Sequence, residues 1–379
     1  MIPLFRPWVG KEEAEAVAEV INSGWLGMGP KTQEFEEKFA KYVGADYAVA
    51  LNSGTAALDL AVKGLGIKSG EILVPSLTFA ATANAALYNN AKPVFVDVDE
   101  DTNCMSIEDA KRKLTTDTKA MIPVHYGGHP CEMDELVRFV RSKKIALIED
   151  AAHASGADYK GRKIGSIGDI TCFSFHPVKN IATGDGGMIT TNDEKLCGKV
   201  KKLRWFSINK STFERVKGKN YSWYYEIDNL GYKYHMNDIT AAIGLVQLKK
   251  VDKGNELRRK IVKRYMKGFS SLDWVKPPVE KPYVKSSWHM FAPKVKNRDG
   301  LIGHLTKADI ATGVHYLPTH MHPFFANLIK SGEIKPANTP VTDRIWKELI
   351  TLPVFPSLAD EDLNKIINTI KEFNPSQSF

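Results

Sequence analysis

The segment EILVPSLTFAATANAALYNNAKPVFVDVD, residues 71–99, decides the fold. It opens with the apolar run EILVPS, continues with a helical stretch, TFAATANAALYNN, and ends with a second apolar run, KPVFVDVD. Short apolar runs that alternate with helical stretches are typical of parallel strands covered on both faces. The segment therefore predicts a strand–helix–strand unit of an α/β domain.

The same alternation extends to both sides of this segment. YAVALNS precedes a helical stretch on the N-terminal side, and AMIPVHY, EMDELVRFVRSKK and IALIED follow on the C-terminal side. We expect a mixed, mostly parallel sheet between two helical layers. After about residue 195 the pattern changes to a long amphipathic helix and a loop-rich section. Inside that helix we place the boundary between a large α/β domain, residues 1–254, and a small α+β domain, residues 255–379.

The composition favours a cytoplasmic protein. The chain has 379 residues, of which 43% are hydrophobic, enough for one large and one smaller domain. Its four cysteines show no CxxC spacing, so we expect reduced thiols. No apolar run is long enough to span a membrane, and the N-terminal residues turn polar too early for a secretion signal.

The net charge of +8 raises the question of an anionic partner. The densest basic cluster, residues 194–220, is either a solvated helix face or a mobile flap over a small anionic substrate. No recognised nucleic-acid motif accompanies it, so we expect no nucleic-acid partner.

Polar side chains follow three of the predicted strands. They are Ser53 to Thr55 after the first, Asp150 after IALIED, and Ser174 and Lys179 around TCFSF. In open parallel sheets, ligands bind beyond the carboxyl ends of the strands. The sequence therefore predicts a site at this edge of the sheet.

Two of these groups have both a structural and a functional interpretation. NSGTAAL, residues 52–58, is either an ordinary helix cap or a phosphate cradle at a helix N-terminus. Asp150 is either an exposed cap or a buried acid that needs a cationic partner, such as a protonated ring nitrogen. His153, three residues later, either stacks on that ring or hydrogen-bonds to it, or is a packed loop histidine.

Lys179 lies in TCFSFHPVKNIATGDGGMITTND, residues 171–193, after an apolar run and before three glycines. Apolar surroundings favour the neutral amine, which condenses with aldehydes. The glycines allow another backbone or a ligand to come close. A reactive lysine, an acid for a ring nitrogen and a phosphate cradle together specify pyridoxal 5′-phosphate (PLP).

Ordered motifs along nearly the whole chain carry a resemblance to a known family. They are SGWLGMGPKTQEFEEKFAKYVG, LNSGTAAL, VPSLTFAATANAALYNNAKPVFVDVD, MIPVHYGGHPCEMDEL, IEDAAHASGADYKGRKIGSIGDITCFSFHPVKNIATGDGGMITTND, GYKYHMNDITAAIGLVQL and TGVHYLPTHMHP. The chain resembles the DegT/DnrJ/EryC1/StrS family of PLP-dependent aminotransferases, which act on nucleotide-linked keto sugars. The resemblance implies an aspartate-aminotransferase-like fold (fold type I of PLP enzymes) and a homodimer with active sites at the subunit interface.

The resemblance also implies residue roles. Lys179 would bind PLP covalently and later move the substrate proton, and Asp150 would pair with the ring nitrogen. Phe79 would stack on the ring, with His153 near its other face or its phenolic oxygen. The phosphate would be held by Gly54, Thr55, Ala56 and Ser174.

One phosphate contact is implied to come from the partner subunit. The family motif GYNYR supplies an asparagine, whereas this chain reads GYKYH, with Lys233 at that position and His235 in place of the arginine. A lysine still meets a phosphate as a point charge. The branch of the family that acts on UDP-4-keto sugars shares GYKY.

The activity implied is a two-step transamination. L-Glutamate would donate the amino group, and a nucleoside-diphosphate-4-keto-6-deoxy sugar would receive it. The alternatives within the family are a 3-keto-sugar aminotransferase and a sugar dehydratase, and the dehydratase branch has histidine where this chain has Lys179. A non-catalytic regulator is the third alternative.

Two further clusters have open interpretations. HYLPTHMHP contains His315, His320 and His322, but no cysteine or carboxylate stands at ligand spacing, so we expect no metal. The resemblance places this loop at the substrate entrance, where His315 or His320 would touch the substrate. The aromatic residues between Trp205 and Tyr225 either stack on a nucleotide base or pack between domains.

Overall fold

The computed structural model describes residues 1–209 and 223–376. Its helices are α1 (Lys11–Ser23), α2 (Pro30–Val43), α3 (Gly54–Gly64), α4 (Ala80–Tyr88), α5 (Ile107–Lys113), α6 (Met133–Lys143), α7 (Glu194–Leu203), α8 (Asp238–Phe269), α9 (Arg298–Lys307), α10 (Pro323–Lys330), α11 (Pro340–Ile345) and α12 (Asp360–Glu372). Its strands are β1 (Tyr47–Leu51), β2 (Glu71–Pro75), β3 (Lys92–Val96), β4 (Thr118–Met121), β5 (Ala146–Asp150), β6 (Asp158–Tyr159), β7 (Arg162–Lys163), β8 (Ile170–Ser174), β9 (Gly187–Thr191), β10 (Val275–Lys276), β11 (Val284–Lys285) and β12 (Lys294–Val295).

The largest sheet within the described residues has seven strands in the order β1-β9-β8-β5-β4-β2-β3. Strands β8, β5, β4, β2 and β3 pair in parallel, and β9 is antiparallel to both β1 and β8. The segment 71–99 forms the predicted unit, because β2 and β3 pair in parallel with Leu73 opposite Val94. The prediction of a mixed, mostly parallel sheet is confirmed.

Both faces of this sheet are buried under helices. Leu147 packs in a cluster with α2 and α6, whereas its neighbour Ile148 packs in a cluster with α3, α4 and α7. Successive side chains of a strand point to opposite faces, so an apolar residue at every position is what a doubly covered strand requires. This arrangement explains why the strands read as continuous apolar runs.

The helix α8 links the sheet to a separate apolar cluster in the C-terminal part. It begins at Asn237, whose side chain accepts a hydrogen bond from the Thr240 amide at 2.9 Å. Leu245 packs against the sheet, whereas Tyr265 lies in the C-terminal cluster with residues such as Phe291. The helix passes without interruption through residues 254 and 255, so the domain boundary there stays a prediction.

The C-terminal edge of the sheet collects the polar groups that the sequence singled out. Strand β5 ends at Asp150, β8 ends at Ser174, and β1 leads directly into α3. The first part of the basic cluster is helix α7, while residues 210–220 lie outside the described residues, as does most of the aromatic stretch 205–225. None of the helices in the described parts of the chain is both long and apolar enough to cross a membrane.

Candidate active site

A cavity of about 330 Å³ opens at this edge of the sheet, and we call it the Lys179 cavity. It brings together most of the residues that the sequence predicted. Those that line it are Gly54, Thr55, Phe79, Asp150, His153, Ser174, Lys179 and His315. Ala56 lies next to them, buried in the first turn of α3.

The N-terminus of α3 forms one wall of the cavity. The Ser53 hydroxyl caps the helix by accepting a hydrogen bond from the Ala56 amide at 3.0 Å. The first amides of a helix have no acceptor within the helix, so those of Gly54 and Thr55 suit an anion. A Cβ atom at Gly54 would lie 2.8 Å from Ser174 Cβ, so glycine is what brings the Ser174 hydroxyl to this helix end.

The glycines after Lys179 make room for backbone. A Cβ atom at Gly187 would lie 2.3 Å from the Ser53 carbonyl oxygen, so strand β9 can approach the turn before α3 only with glycine there. The sequence left open whether these glycines admit another backbone or a ligand. At Gly187 the glycine admits the backbone of Ser53.

Asp150 is a buried acid without a cationic partner. Its carboxylate accepts hydrogen bonds from the Thr82 hydroxyl at 2.8 Å and the Ala152 amide at 3.1 Å. Within the described residues no lysine, arginine or histidine nitrogen lies within 4 Å of its oxygens. Burial raises the pKa of Asp150, a sign that its charge lacks compensation. A protonated ring nitrogen in the cavity would supply the missing donor and charge.

Lys179 places a buried amine in the same cavity. Burial lowers the pKa of its ammonium to about 8, and the negative charge of Asp150 offsets part of that effect. Among the described residues no carboxylate forms an ion pair with this amine, so nothing fixes it in the charged form. An amine with such a pKa has a neutral fraction near physiological pH, which an amine at the usual 10.5 lacks almost entirely, and this fraction can act as a nucleophile or a base.

Stacked rings form the wall behind Lys179. His153 lies 4.5 Å from His289, and His289 lies 5.5 Å from Phe5 at an interplanar angle of 8°. The Tyr316 hydroxyl lies 3.2 Å from His153 Nε2. Burial and the charge of Lys179 hold the pKa of His153 well below its usual range, so this histidine is neutral.

The remaining predicted residues are placed differently. Phe79 lies at the cavity mouth with 62% of its surface exposed, and its ring is 6.2 Å from that of Tyr316. His315 lines the cavity and lies 2.8 Å from the Thr351 hydroxyl. His320 is outside it, with Nδ1 2.5 Å from the Ser76 hydroxyl. Lys233 is exposed and does not line the cavity.

Sequence reasoning missed several residues of this cavity. Thr82, His289, Tyr316 and Phe5 line it, yet none of them was singled out. Thr82 lies in a quoted motif, three residues after Phe79, where helical spacing could have placed both on one side of α4. His289 and Phe5 come from segments with no local pattern that points to the site.

These features together fit PLP. The helix end with Ser174 suits its phosphate, the uncompensated Asp150 suits its ring nitrogen, and the amine of Lys179 suits its aldehyde. His153 Nδ1 is buried without a hydrogen-bond partner in the described chain, so the cavity wall retains a free polar atom. No group of three or more His, Cys, Asp or Glu side chains able to hold a metal ion is found in residues 1–209 and 223–376.

Comparisons with known proteins agree with this chemistry. The spore coat polysaccharide biosynthesis protein SpsC of Bacillus subtilis is 40% identical over 381 residues, which cover 98% of this chain and 96% of SpsC. The putative sugar aminotransferase Spr1654 from Streptococcus pneumoniae, in its PMP form, superposes with a TM-score of 0.91 at 34% identity, over 98% of both chains. The same protein is also known in a PLP form. DesV from S. venezuelae, in complex with a ketimine intermediate, superposes with a TM-score of 0.87 at 33% identity, over 97% of this chain and 95% of DesV.

The fold, the cavity and these neighbours define a PLP-dependent aminotransferase with the fold of the sugar aminotransferases. The model of the DegT/DnrJ/EryC1/StrS aminotransferase family matches residues 7–371. The chain belongs to that family, as its ordered motifs predicted.

Proposed function

We propose that the protein transfers the amino group of L-glutamate to the 4-keto carbon of a nucleoside-diphosphate-linked 4-keto-6-deoxy sugar. The observation that carries this proposal is the buried Lys179 amine, which shares a cavity with Asp150 and a free helix N-terminus. The names of SpsC and Spr1654 support a sugar substrate and a role in polysaccharide biosynthesis. The choice of carbon 4 rests on the resemblance of the opening MIPLFRPWVGKEEAEAV, of SGWLGMGP and of HPVKN to 4-aminotransferases.

The proposal assigns the central chemistry to Lys179 and Asp150. PLP, when bound, supplies an electron-withdrawing ring that carries the amino group from one substrate to the other. Lys179 Nζ binds the cofactor and, when free, takes and returns the proton at the substrate carbon. A pKa of about 8 suits a group that must do both near neutral pH. Asp150 keeps a proton on the ring nitrogen through its negative charge.

The other cavity residues hold the cofactor in place under this proposal. Gly54, Thr55 and Ala56, with the Ser174 hydroxyl, surround the phosphate, which accepts from the Gly54 and Thr55 amides, because the Ala56 amide already donates to the Ser53 hydroxyl. Phe79 and His153 take the two faces of the ring, and the neutral state of His153 suits stacking against a cationic ring. His315 contacts the substrate from the cavity wall. The hydrogen bond of His320 to Ser76 gives no support to a direct contact by that residue.

We also propose a homodimer in which Lys233 reaches the phosphate of the partner subunit. Lys233 is exposed and does not line the Lys179 cavity of its own chain, as expected for a residue that acts in the partner. Phe79, at the cavity mouth, is 62% exposed, so its ring is accessible to a second subunit.

The remaining proposals concern location and partners. The four cysteines are free in the structure, which supports reduced thiols and the cytoplasm, where nucleotide sugars are found. We propose no partner beyond the two substrates and the second subunit, and in particular no nucleic acid.

One experiment separates the proposed activity from its alternatives. The PLP-loaded protein is incubated with L-glutamate and a panel of UDP-, dTDP- and GDP-linked 4-keto and 3-keto sugars. We expect one 2-oxoglutarate per amino sugar, and mass spectrometry identifies the sugar that reacts. A dehydratase would give loss of water without 2-oxoglutarate, and a product from 3-keto sugars alone would contradict the choice of carbon 4. Lys179→Ala is the control that forms neither product.

A further inference from the structure

The amine of Lys179 has one hydrogen-bonding neighbour among the described residues, and it is His289. Lys179 Nζ lies 3.5 Å from His289 Nε2. Two other histidines of the cavity have different neighbours, because His153 faces the Tyr316 hydroxyl and His315 faces the Thr351 hydroxyl. The motifs that identified the other site residues assign no role to His289.

The backbone on both sides of His289 is fixed. The Ser287 amide donates to the Gly128 carbonyl at 3.1 Å, and the Met290 amide donates to the Gly127 carbonyl at 3.2 Å. The side chain of Asn180 donates to the Ser287 carbonyl at 2.9 Å, which ties this segment to the residue next to Lys179. The distance between the imidazole and the amine is therefore set by the surrounding chain.

The ring of His289 is fixed as well. It lies between Phe5, 5.5 Å away and nearly parallel, and His153, 4.5 Å away. The side chain is 2% exposed. His289 Nδ1 has no hydrogen-bond partner among the described residues, so the stacking on Phe5 and the contact of Nε2 with the amine are what orient the ring.

The charges around His289 keep its ring neutral. Burial is the main cause that holds its pKa well below the usual range, and the positive charges of Lys179 and Arg258 act in the same direction. His153 and His315, the other titratable groups nearby, also lower this pKa and contribute no negative charge. A neutral imidazole has one nitrogen free to accept a hydrogen bond.

We propose that His289 is a positioning residue for Lys179, whose Nε2 accepts a hydrogen bond from the ammonium and holds it toward the cavity when the lysine is not bonded to the cofactor. This inference rests on the proposed role of Lys179. Contacts with Phe5 and His153 hold the His289 ring so that the lone pair of Nε2 points at the amine. Asp150 then attracts the Lys179 ammonium through its negative charge, and the hydrogen bond to His289 sets the orientation of that ammonium.

The proposal is tested in the cofactor-free protein by the reactivity of Lys179. The protein is treated with trace acetic anhydride across pH 6–10, and acetylation of the Lys179 peptide is followed by mass spectrometry. His289→Phe keeps an aromatic ring in the stack but removes the acceptor for the ammonium. We expect the pKa of Lys179 to fall by about 1 from its value near 8, so that labelling at pH 7 becomes about fivefold faster.

Two further variants separate positioning from mere packing. His289→Gln replaces the ring with an amide oxygen that can accept the same hydrogen bond, and we expect it to restore most of the labelling profile. His304→Phe makes the same exchange at a histidine that contacts the Thr369 carbonyl, far from the cavity residues, and we expect no change in labelling. If His289→Phe does not fold, His289→Asn, whose amide is too short to reach Nζ, takes its place.

Kinetics of the loaded enzyme give the second readout. We expect His289→Phe to lower kcat about tenfold with little change in the KM of the amino donor, because the residue acts through Lys179. An unchanged labelling profile in His289→Phe, or identical behaviour of the Phe and Gln variants in both assays, would overturn the proposal. The labelling uses no substrate, so it reports on His289 even if the proposed sugar substrates fail to react.

Discussion

Among the cavities formed by the described residues, two that contain a buried cationic side chain differ sharply, and one of them has the features of an active site. The larger, about 410 Å³, is lined by α2 and α7 and contains Glu36 and Arg204, so we call it the Glu36 cavity. There the Arg204 guanidinium pairs with the Glu36 carboxylate and donates to the Ala50 carbonyl at 3.0 Å. The Glu36 carboxylate also accepts from the Ala50 amide at 2.8 Å. The charges of this cavity are compensated within the protein.

The Lys179 cavity is smaller, about 330 Å³, and its charged groups form no ion pair within the described residues. Lys179 lacks a paired carboxylate and Asp150 lacks a paired cation in the described chain, and burial displaces the pKa of each toward its neutral form. Uncompensated buried groups lower stability and are retained where they do chemistry. The comparison shows that buried charged groups without ion-pair partners, rather than a large cavity volume, identify the functional site.

The largest expected effect comes from the lysine itself. Lys179→Ala should lower turnover by at least about 1,000-fold, because it removes both the cofactor bond and the proton-transfer group. Formation of 2-oxoglutarate from L-glutamate measures the loss. Lys201→Ala, at the rim of the Glu36 cavity, is the matched control and should retain full activity. Comparable losses of turnover in the two variants would contradict the conclusion that the Lys179 cavity, and not the Glu36 cavity, is the active site.

The ion pair between Glu36 and Arg204 should contribute to the stability of the fold rather than to turnover. Glu36→Ala leaves the Arg204 charge buried without its partner, so we expect a loss of about 3–5 kcal/mol in the free energy of unfolding. Urea denaturation of the cofactor-free protein measures it, with exposed Glu37→Ala as the control. Activity per folded molecule should stay near that of the wild type, and a selective loss of activity would assign Glu36 to the active site.

Removal of the charge at Lys179 should raise the free energy of unfolding, whereas Glu36→Ala should lower it. Burial depresses the folded-state pKa to about 8 from a usual value of 10.5, so below pH 8 the buried charge opposes folding. Lys179→Met should therefore stabilise the cofactor-free protein at pH 7, by at most about 3 kcal/mol. The unfolded state binds more protons between pH 8 and 10.5, so the wild type gains stability there and the difference closes. A destabilised Lys179→Met variant, or a difference that does not depend on pH, would contradict this account.

The smallest effect is expected at Lys233. An exposed lysine that meets a phosphate as a point charge contributes little in water, so Lys233→Ala should weaken PLP binding about threefold. Fluorescence titration of the cofactor-free protein measures the change, and exposed Lys195→Ala serves as the control. The effect should disappear at high salt, because screening removes it. No change at low salt would remove Lys233 from the cofactor site.

The fold was largely predictable from the sequence, for a physical reason. Strands covered on both faces need apolar residues at every position, so β2, β3 and β5 appear as continuous runs between helical stretches. The two-residue strands, such as β6 and β10, are too short to leave a periodic signal.

The site was predictable only where the topology of the sheet determines it. Asp150 and Ser174 end strands β5 and β8, which parallel topology brings to one edge, and Lys179 lies in the loop that follows β8. His289 reaches the cavity from the C-terminal part by tertiary packing, and no local pattern points to it, whereas Tyr316 lies in a quoted motif of which only the histidines were singled out. His315 and His320 show the same limit, because they are five residues apart in one motif and only His315 lines the cavity.

The most direct test of the central claim is to locate the covalent bond between PLP and the protein. The PLP-loaded enzyme is reduced with borohydride, digested, and analysed by mass spectrometry. The account predicts a phosphopyridoxyl group on the peptide that contains Lys179, with no equivalent label on lysines of the Glu36 cavity such as Lys201 or Lys202. A label on any other lysine, or no label at all, would contradict it.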